Sequence, residues 1–457
     1  LNDRKLPGAA PAARTRTLVA ALAILAWTSN GRGQAPPDPA ASPAAPAPPV
    51  PAYEVPPELH PAAILPDLLA AGTDYHVVDP VQSDGLMNHY VLESKFGRFE
   101  AYGKFALAVR VNEVRALTEL DSTSRVEVVG DAVVGSVKAQ VNTATGVVTH
   151  PVKTVTGIPH GIQNLLRGYR DTARETVATV GAVTSNIGGA TGGGDHGVTD
   201  KGVAAATDYA RHYAGLSDAE RLWYEKLRVD PYSDNATLRK AISDVAKLHA
   251  AANFGTRYIG LAIPGIGTVT QVTDAIYHES PSTIRARTRA RLQEHGLTPA
   301  EIEQWEKSTV LNPTQQVLLL AADDALAGVA GRGLLFRHAL GLSSKLETSV
   351  YLQSVRLLVT AHRKKPLVAI LPAPWLPAGA RADGQVVVCA AFDSVYWTEQ
   401  VAKGEPELRA ALPTTAVTRH ELWLTGAASD RARSELAARG WDLRESEMIA
   451  EAPPARR

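Results

Sequence analysis

The sequence predicts an α+β fold that is mostly helical, with a short N-terminal β-meander, a large helical body and a small C-terminal α/β domain. Three observations lead there. Short aromatic and β-branched runs separated by Gly turns crowd residues 74–102. Apolar residues recur at helical spacing through most of 104–363. After Pro366 the chain alternates buried-type strands with a capped helix.

The first segment reads as targeting rather than fold. Arg14 and Arg16 precede the run Leu18 to Trp27, "LVAALAILAW". A membrane-crossing helix needs about 20 apolar residues, so this run fits the apolar core of a signal peptide. Residues 1–35 are therefore expected to be a signal peptide, cut after Ala35 in Gly33-Gln34-Ala35, although Pro36 follows that bond directly. Residues 36–58 are dense in Pro and Ala, a composition that gives an extended linker. The Ala, Arg and Pro usage suggests a bacterial source, which with export implies a periplasmic or extracellular location.

Residues 59–184 are read as meander plus amphipathic helices. "YHVV", "HYVLES" and "RFEAY" are the strands. From Lys104 the period becomes helical, with Ala108, Val111, Val114 and Leu117 in phase. Across 126–180 an eleven-residue spacing appears: Val133, Ala144, Val155, Leu166 and Val177. Eleven residues in three turns is about 3.67 per turn, close to a straight helix, so one apolar stripe persists. Val155, Ile158, Ile162, Leu165, Leu166 and Tyr169 are the candidate contacts with a lipid surface. Pro151 and Pro159 break the stretch into bent pieces.

That stretch resembles, in its Val-Thr-Lys-Gly texture, the eleven-residue repeats of synucleins and exchangeable apolipoproteins. The resemblance covers about an eighth of the chain. It implies lipid-surface binding without enzymatic activity. Few cations accompany the stripe, and Asp171 and Glu175 partly offset them, so packing against the other helices is the favoured role of the stripe, membrane association the second, and β-structure from its Val and Thr content the third.

Residues 185–200 form a Gly-rich loop, and 201–365 a helical domain. Ser217…Glu220 and Thr298…Glu301 are capping boxes, and "DPYSDN" at 230–235 is an interhelical turn. A second Gly-Pro echo, "IPGIG" at 263–267, reads as an interfacial wedge or a bend between buried helices. One long helix is expected from about Leu334 to His362. Residues 366–449 form the small α/β domain, with strands "PLVAILP", "QVVVCAAF", "HELWLTG" and "WDLRE", a helix over Ser429–Arg439, and an irregular loop "PAPWLPAGARADG". Residues 450–457 are a tail.

Lys+Arg and Asp+Glu each number 47, so no basic excess points to nucleic acid. The single cysteine, Cys389, reads as a buried strand thiol. No HExxH, G-x-S-x-G or phosphate-loop motif occurs. Asp74 and His76 share a strand face but supply half a metal site at most. No metal and no cofactor are expected. The favoured function is an exported, non-catalytic envelope or surface protein, with a membrane surface or an envelope protein as partner and an undetermined oligomeric state. The alternative is a secreted or periplasmic hydrolase near the C-terminal domain, with Asp393 and His420, both near strand ends, as its acid–base candidates.

Overall fold

Alternating burial builds the first sheet. The computed structural model describes residues 52–127, 216–248, 262–263, 267–268, 274–413 and 419–449. Two short helical turns, α1 (Pro61–Ile64) and α2 (Asp67–Ala70), lead into β1 (Ala71–Gly72), β2 (Tyr75–Val77), β3 (Gln82–Ser83), β4 (Asn88–Ser94) and β5 (Gly97–Tyr102). These pair antiparallel in the order β1-β2-β4-β3, and β5 also pairs with β4. In β2, Tyr75 and Val77 are buried while His76 is exposed, the period-two pattern of a half-covered sheet.

The helix α3 (Lys104–Glu127) covers that sheet. Leu107, Ala108, Val111 and Val114 join the sheet core, whereas Ala116, Leu117 and Leu120 join the next cluster. Each fully buried Leu or Val contributes about 1.5–3 kcal/mol, so one helix binds two cores together. Leu117 and Leu120 meet α4 (Asp218–Leu227) and α5 (Ala236–Leu248) through Trp223, Tyr224, Leu238 and Ile242.

At the described ends of "IPGIG", β6 (Ala262–Ile263) and β7 (Gly267–Thr268) pair antiparallel, in place of the expected interfacial wedge or bend between buried helices; residues 264–266 lie outside the described residues. Then follow α6 (Asp274–His278), α7 (Pro281–Glu294), α8 (Pro299–Lys307), α9 (Pro313–Ala325), α10 (Gly333–Leu340) and α11 (Lys345–Lys364). Both expected capping boxes form, and Asn312 with Gln315 makes a third. A buried carboxylate ties this body together: Asp323 accepts from Arg291, from Arg332 at 3.0 Å, and lies 2.9 Å from His295 Nε2.

The expected single helix from Leu334 to His362 is two helices. It breaks at Gly341–Ser344, because Ser344 caps a new start by accepting from the Glu347 N–H, and Ser343 donates to the Glu347 carboxylate.

The C-terminal sheet contains β8 (Ala369–Leu371), β9 (Ala378–Ala380), β10 (Gln385–Ala390), β12 (Arg419–Leu424) and β14 (Trp441–Arg444), in the order β14-β12-β10-β9-β8. β9 runs antiparallel to its neighbours, and β10, β12 and β14 run parallel. The presumed loop "PAPWLPAGARADG" thus contributes a strand. A Cβ on Gly379 would come within 2.8 Å of Leu367 Cδ1, so the small residues let the strand lie close beneath its cover. β11 (Ser394–Val395) and β13 (Ala427–Ala428) pair parallel as a separate two-stranded sheet.

Helices cover both faces. Val387, Cys389 and Trp423 pack with α11, and Val386, Val388, Ala390, Leu422 and Leu424 pack with α12 (Glu399–Ala411) and α13 (Asp430–Ala438). The result is an α/β/α sandwich. Among the described residues, no helix is long and apolar enough to cross a membrane.

Candidate functional site

Asp393 and His420 are not brought together. His420 pairs with Val386 at the start of β10, whereas Asp393 lies seven residues further on, past the strand's end. At about 3.3 Å per residue that places them roughly 20 Å apart. His420 is buried against the Trp441 ring, with centroids 5.4 Å apart. Burial pushes its imidazole below the ordinary value, opposed by the Pro413 carbonyl.

Asp393 holds the N-terminal meander to the C-terminal sheet. Oδ1 accepts from the Lys104 N–H at 2.9 Å, capping α3, and Oδ2 accepts from the Asn88 N–H at 3.2 Å and the Tyr90 hydroxyl at 3.3 Å. Burial raises its pKa, and these donors oppose the rise. The Asp393 and Ser394 N–H groups both donate to the Leu86 carbonyl, and the Tyr396 N–H donates to Gly85. Nearby, the Glu54 carboxylate accepts from the Trp397 N–H and from Ser429 Oγ.

Asp74 and His76 also part. Lys95 pairs with Asp74 at 3.1 Å, and His76 faces Glu93 at 3.6 Å. No cluster with metal-binding composition occurs among the described residues. Ser233 and Asn235 of the interhelical turn donate to the buried Glu113 carboxylate of α3, which is an anchoring role. The lipid-contact candidates Val155, Ile158, Ile162, Leu165, Leu166 and Tyr169, the expected signal peptide (1–35) and the expected Gly-rich loop (185–200) lie outside the described residues.

Two concave places border the C-terminal sheet. One is a small apolar cavity of about 60 Å³ between the sheet and α12, lined by Trp375, Phe392 and Trp441 among others. The second is a polar groove with about 440 Å³ of free volume, within the range of small-ligand clefts. It forms because Pro366 ends α11 while the sheet continues beneath. The uncovered end of the face carries Gln385 of β10 and Glu421 of β12, in phase with the apolar Val387 and Trp423.

The floor of the groove is a buried ion pair. Arg381 Nη1 donates to Glu421 Oε2 at 2.8 Å and also to Gln385. Glu421 accepts further from Trp423 Nε1 at 2.9 Å and from Gln385 Nε2 at 2.7 Å. Burial pushes the Glu421 carboxyl up, but the Trp423 hydrogen bond and the Arg381 charge outweigh it and hold the group below its ordinary value. Arg381 Nε is buried and meets no acceptor. Lys364 sits 5.0 Å above the Trp423 ring and pairs with Glu447; Lys365 pairs with Asp383 at 2.6 Å; Arg444 lies 3.3 Å from Asp442.

Pattern reading missed this constellation. Glu421 carried the signal: a charged residue inside the apolar strand "HELWL" demands a buried partner. No known protein family, characterised protein or solved structure matches the chain.

Proposed function

We propose that the chain is an exported, non-catalytic envelope or surface protein that binds a partner or a lipid surface through the amphipathic stretch 126–180. The observation that carries the non-catalytic part is the commitment of Asp393. Its two oxygens accept three donors that dock α3 and β4 onto the C-terminal sheet, so the carboxylate works as a structural clamp. Asp393 and His420, the acid–base candidates of the hydrolase alternative, occupy opposite ends of the parallel strands, which does not support them as a pair. Export rests on the run Leu18–Trp27, and lipid contact on the stripe through Val155 and Leu166.

Co-sedimentation with anionic and neutral liposomes tests the reading, with Leu166→Asp as control. Wild type is expected to pellet with anionic vesicles, and the variant to remain mostly in the supernatant. Identical partitioning of the two chains ends the lipid reading.

A further inference from the structure

We propose that the polar groove between the end of α11 and the sheet is a binding site for a small, multiply charged oxyanion of the phosphate class. It goes beyond the lipid reading, because the groove is formed by residues remote in sequence from 126–180.

Charge comes first. The lining contributes four cations, Lys364, Lys365, Arg381 and Arg444, against two acids, Glu421 and Glu447, a surplus of two. The carbonyl end of α11 opposes an anion with about half an elementary charge, which does not cancel that surplus. Asp383 and Asp442 complete the balance from the rim, but both are more than half exposed. Exposed pairs of this kind are weak and screened by solvent, so a ligand displaces them at small cost.

Donor geometry comes second. Arg381 makes its contacts to Glu421 and Gln385 through Nη1, and its Nε is buried without an acceptor. Nε belongs to the edge of the guanidinium fork that pairs side-on with two oxygens of a phosphate. A buried donor left unsatisfied is destabilising, and an oxyanion would satisfy it. Lys364 and Lys365 are both about half exposed, so they can swing aside and close over the ligand.

The test is calorimetric titration of the full chain with inorganic pyrophosphate at constant ionic strength. Saturable one-site binding is expected. Lys365→Glu and Arg444→Glu should each weaken it roughly tenfold, and Asp383→Asn should leave it unchanged or tighten it by a few-fold. Lys307→Glu, an equal charge reversal on α8, should have no effect. A second arm separates the source of the phosphate. Capture on phosphatidate vesicles that Lys365→Glu abolishes and pyrophosphate displaces assigns a lipid headgroup; pyrophosphate binding without such capture assigns a free phosphate. Absence of saturable binding overturns the site, as does equal weakening by the Lys307 control or no weakening by the groove variants.

Discussion

Asp393 Oδ1 lies 2.9 Å from the backbone nitrogen of Lys104, a contact spanning 289 residues of chain. It caps the long α3 helix from another layer, so the cap and the docking of two layers are one interaction. Asp393→Asn keeps one acceptor oxygen and turns the other into a donor facing the Asn88 N–H or the Lys104 N–H. The expected loss is about 2–3 kcal/mol, from a lost cap and a buried donor left unpaired. Urea denaturation reads it as a lower midpoint at unchanged slope. A wild-type midpoint would mean the clamp contributes little.

Gly426 makes that approach possible. A Cβ there would stand 1.9 Å from the Asp393 carbonyl oxygen and 2.8 Å from the Phe392 carbonyl oxygen. Both neighbours are backbone and cannot swing aside. Gly426→Ala should therefore cost on the order of 3 kcal/mol or more, against about 1–2 kcal/mol for Gly440→Ala, an exposed glycine whose added Cβ meets nothing within 4 Å and whose cost is the strain of its φ of 89° alone. Thermal unfolding of the two variants side by side checks the order.

Burial sets two opposing titrations. It pushes the Asp230 carboxyl up to about 6, with hydrogen bonds from Thr314 and Tyr232 resisting, and the His338 imidazole down to about 4. Between about pH 4 and 6 the folded state holds a proton on Asp230 that the unfolded chain has released, so stability falls as pH rises through that window. For His338 the unfolded chain binds the proton first, so stability falls as pH drops from about 6.5 to 4. Each amounts to at most about 3 kcal/mol, since both side chains keep some exposure. Over the shared window they offset each other. Asp230→Asn keeps Oδ1, which accepts both the Tyr232 N–H and the Thr314 hydroxyl. The variant should gain stability relative to wild type between pH 4 and 7, and an identical difference at both ends contradicts the assignment.

Cys389 is fully buried, and burial pushes its thiol well up. A buried, protonated thiol is a poor nucleophile. Labelling by an aromatic disulfide reagent at pH 8 should be negligible in the native chain and should follow the urea unfolding curve. A fast native phase would show that α11 leaves the sheet locally.

Much of the fold was legible because it obeys local rules. Tyr75 and Val77 alternate with His76, Ala108 to Leu117 keep helical phase, and Ser217 and Thr298 sit three residues before a Glu. The break at Gly341–Ser344 was hidden because the apolar stripe runs on through Leu342 and Leu346; the Ser344…Glu347 cap overrode it. β9 was hidden because Ala-Gly-Ala carries no side-chain pattern, and its place is set by the packing of Leu367. Asp393 and His420 lie near strand ends, but a local pattern cannot show that the ends are opposite ones, nor that a carboxylate's donors come from residues 88–104. The groove draws on residues from 364 to 447, and only the charged Glu421 within an apolar strand betrayed it.

The Arg381–Glu421 pair tests how that floor is held. Both side chains are 4% exposed, so removing either leaves a charge in a low-dielectric place. The losses should not be equal. Arg381→Met leaves Glu421 with Trp423 Nε1, Gln385 Nε2 and, at 3.4 Å, Arg444. Glu421→Leu strands the Arg381 charge and takes the acceptor from the Trp423 and Gln385 donors at once. Glu421→Leu should therefore cost about 3–5 kcal/mol and Arg381→Met clearly less. The double variant should recover at least about 1 kcal/mol over Glu421→Leu, because the stranded cation is gone and the methionine packs against Trp423. Denaturation midpoints of the three variants give the order. If Arg381→Met is the most damaging, the floor is organised around the guanidinium rather than the carboxylate.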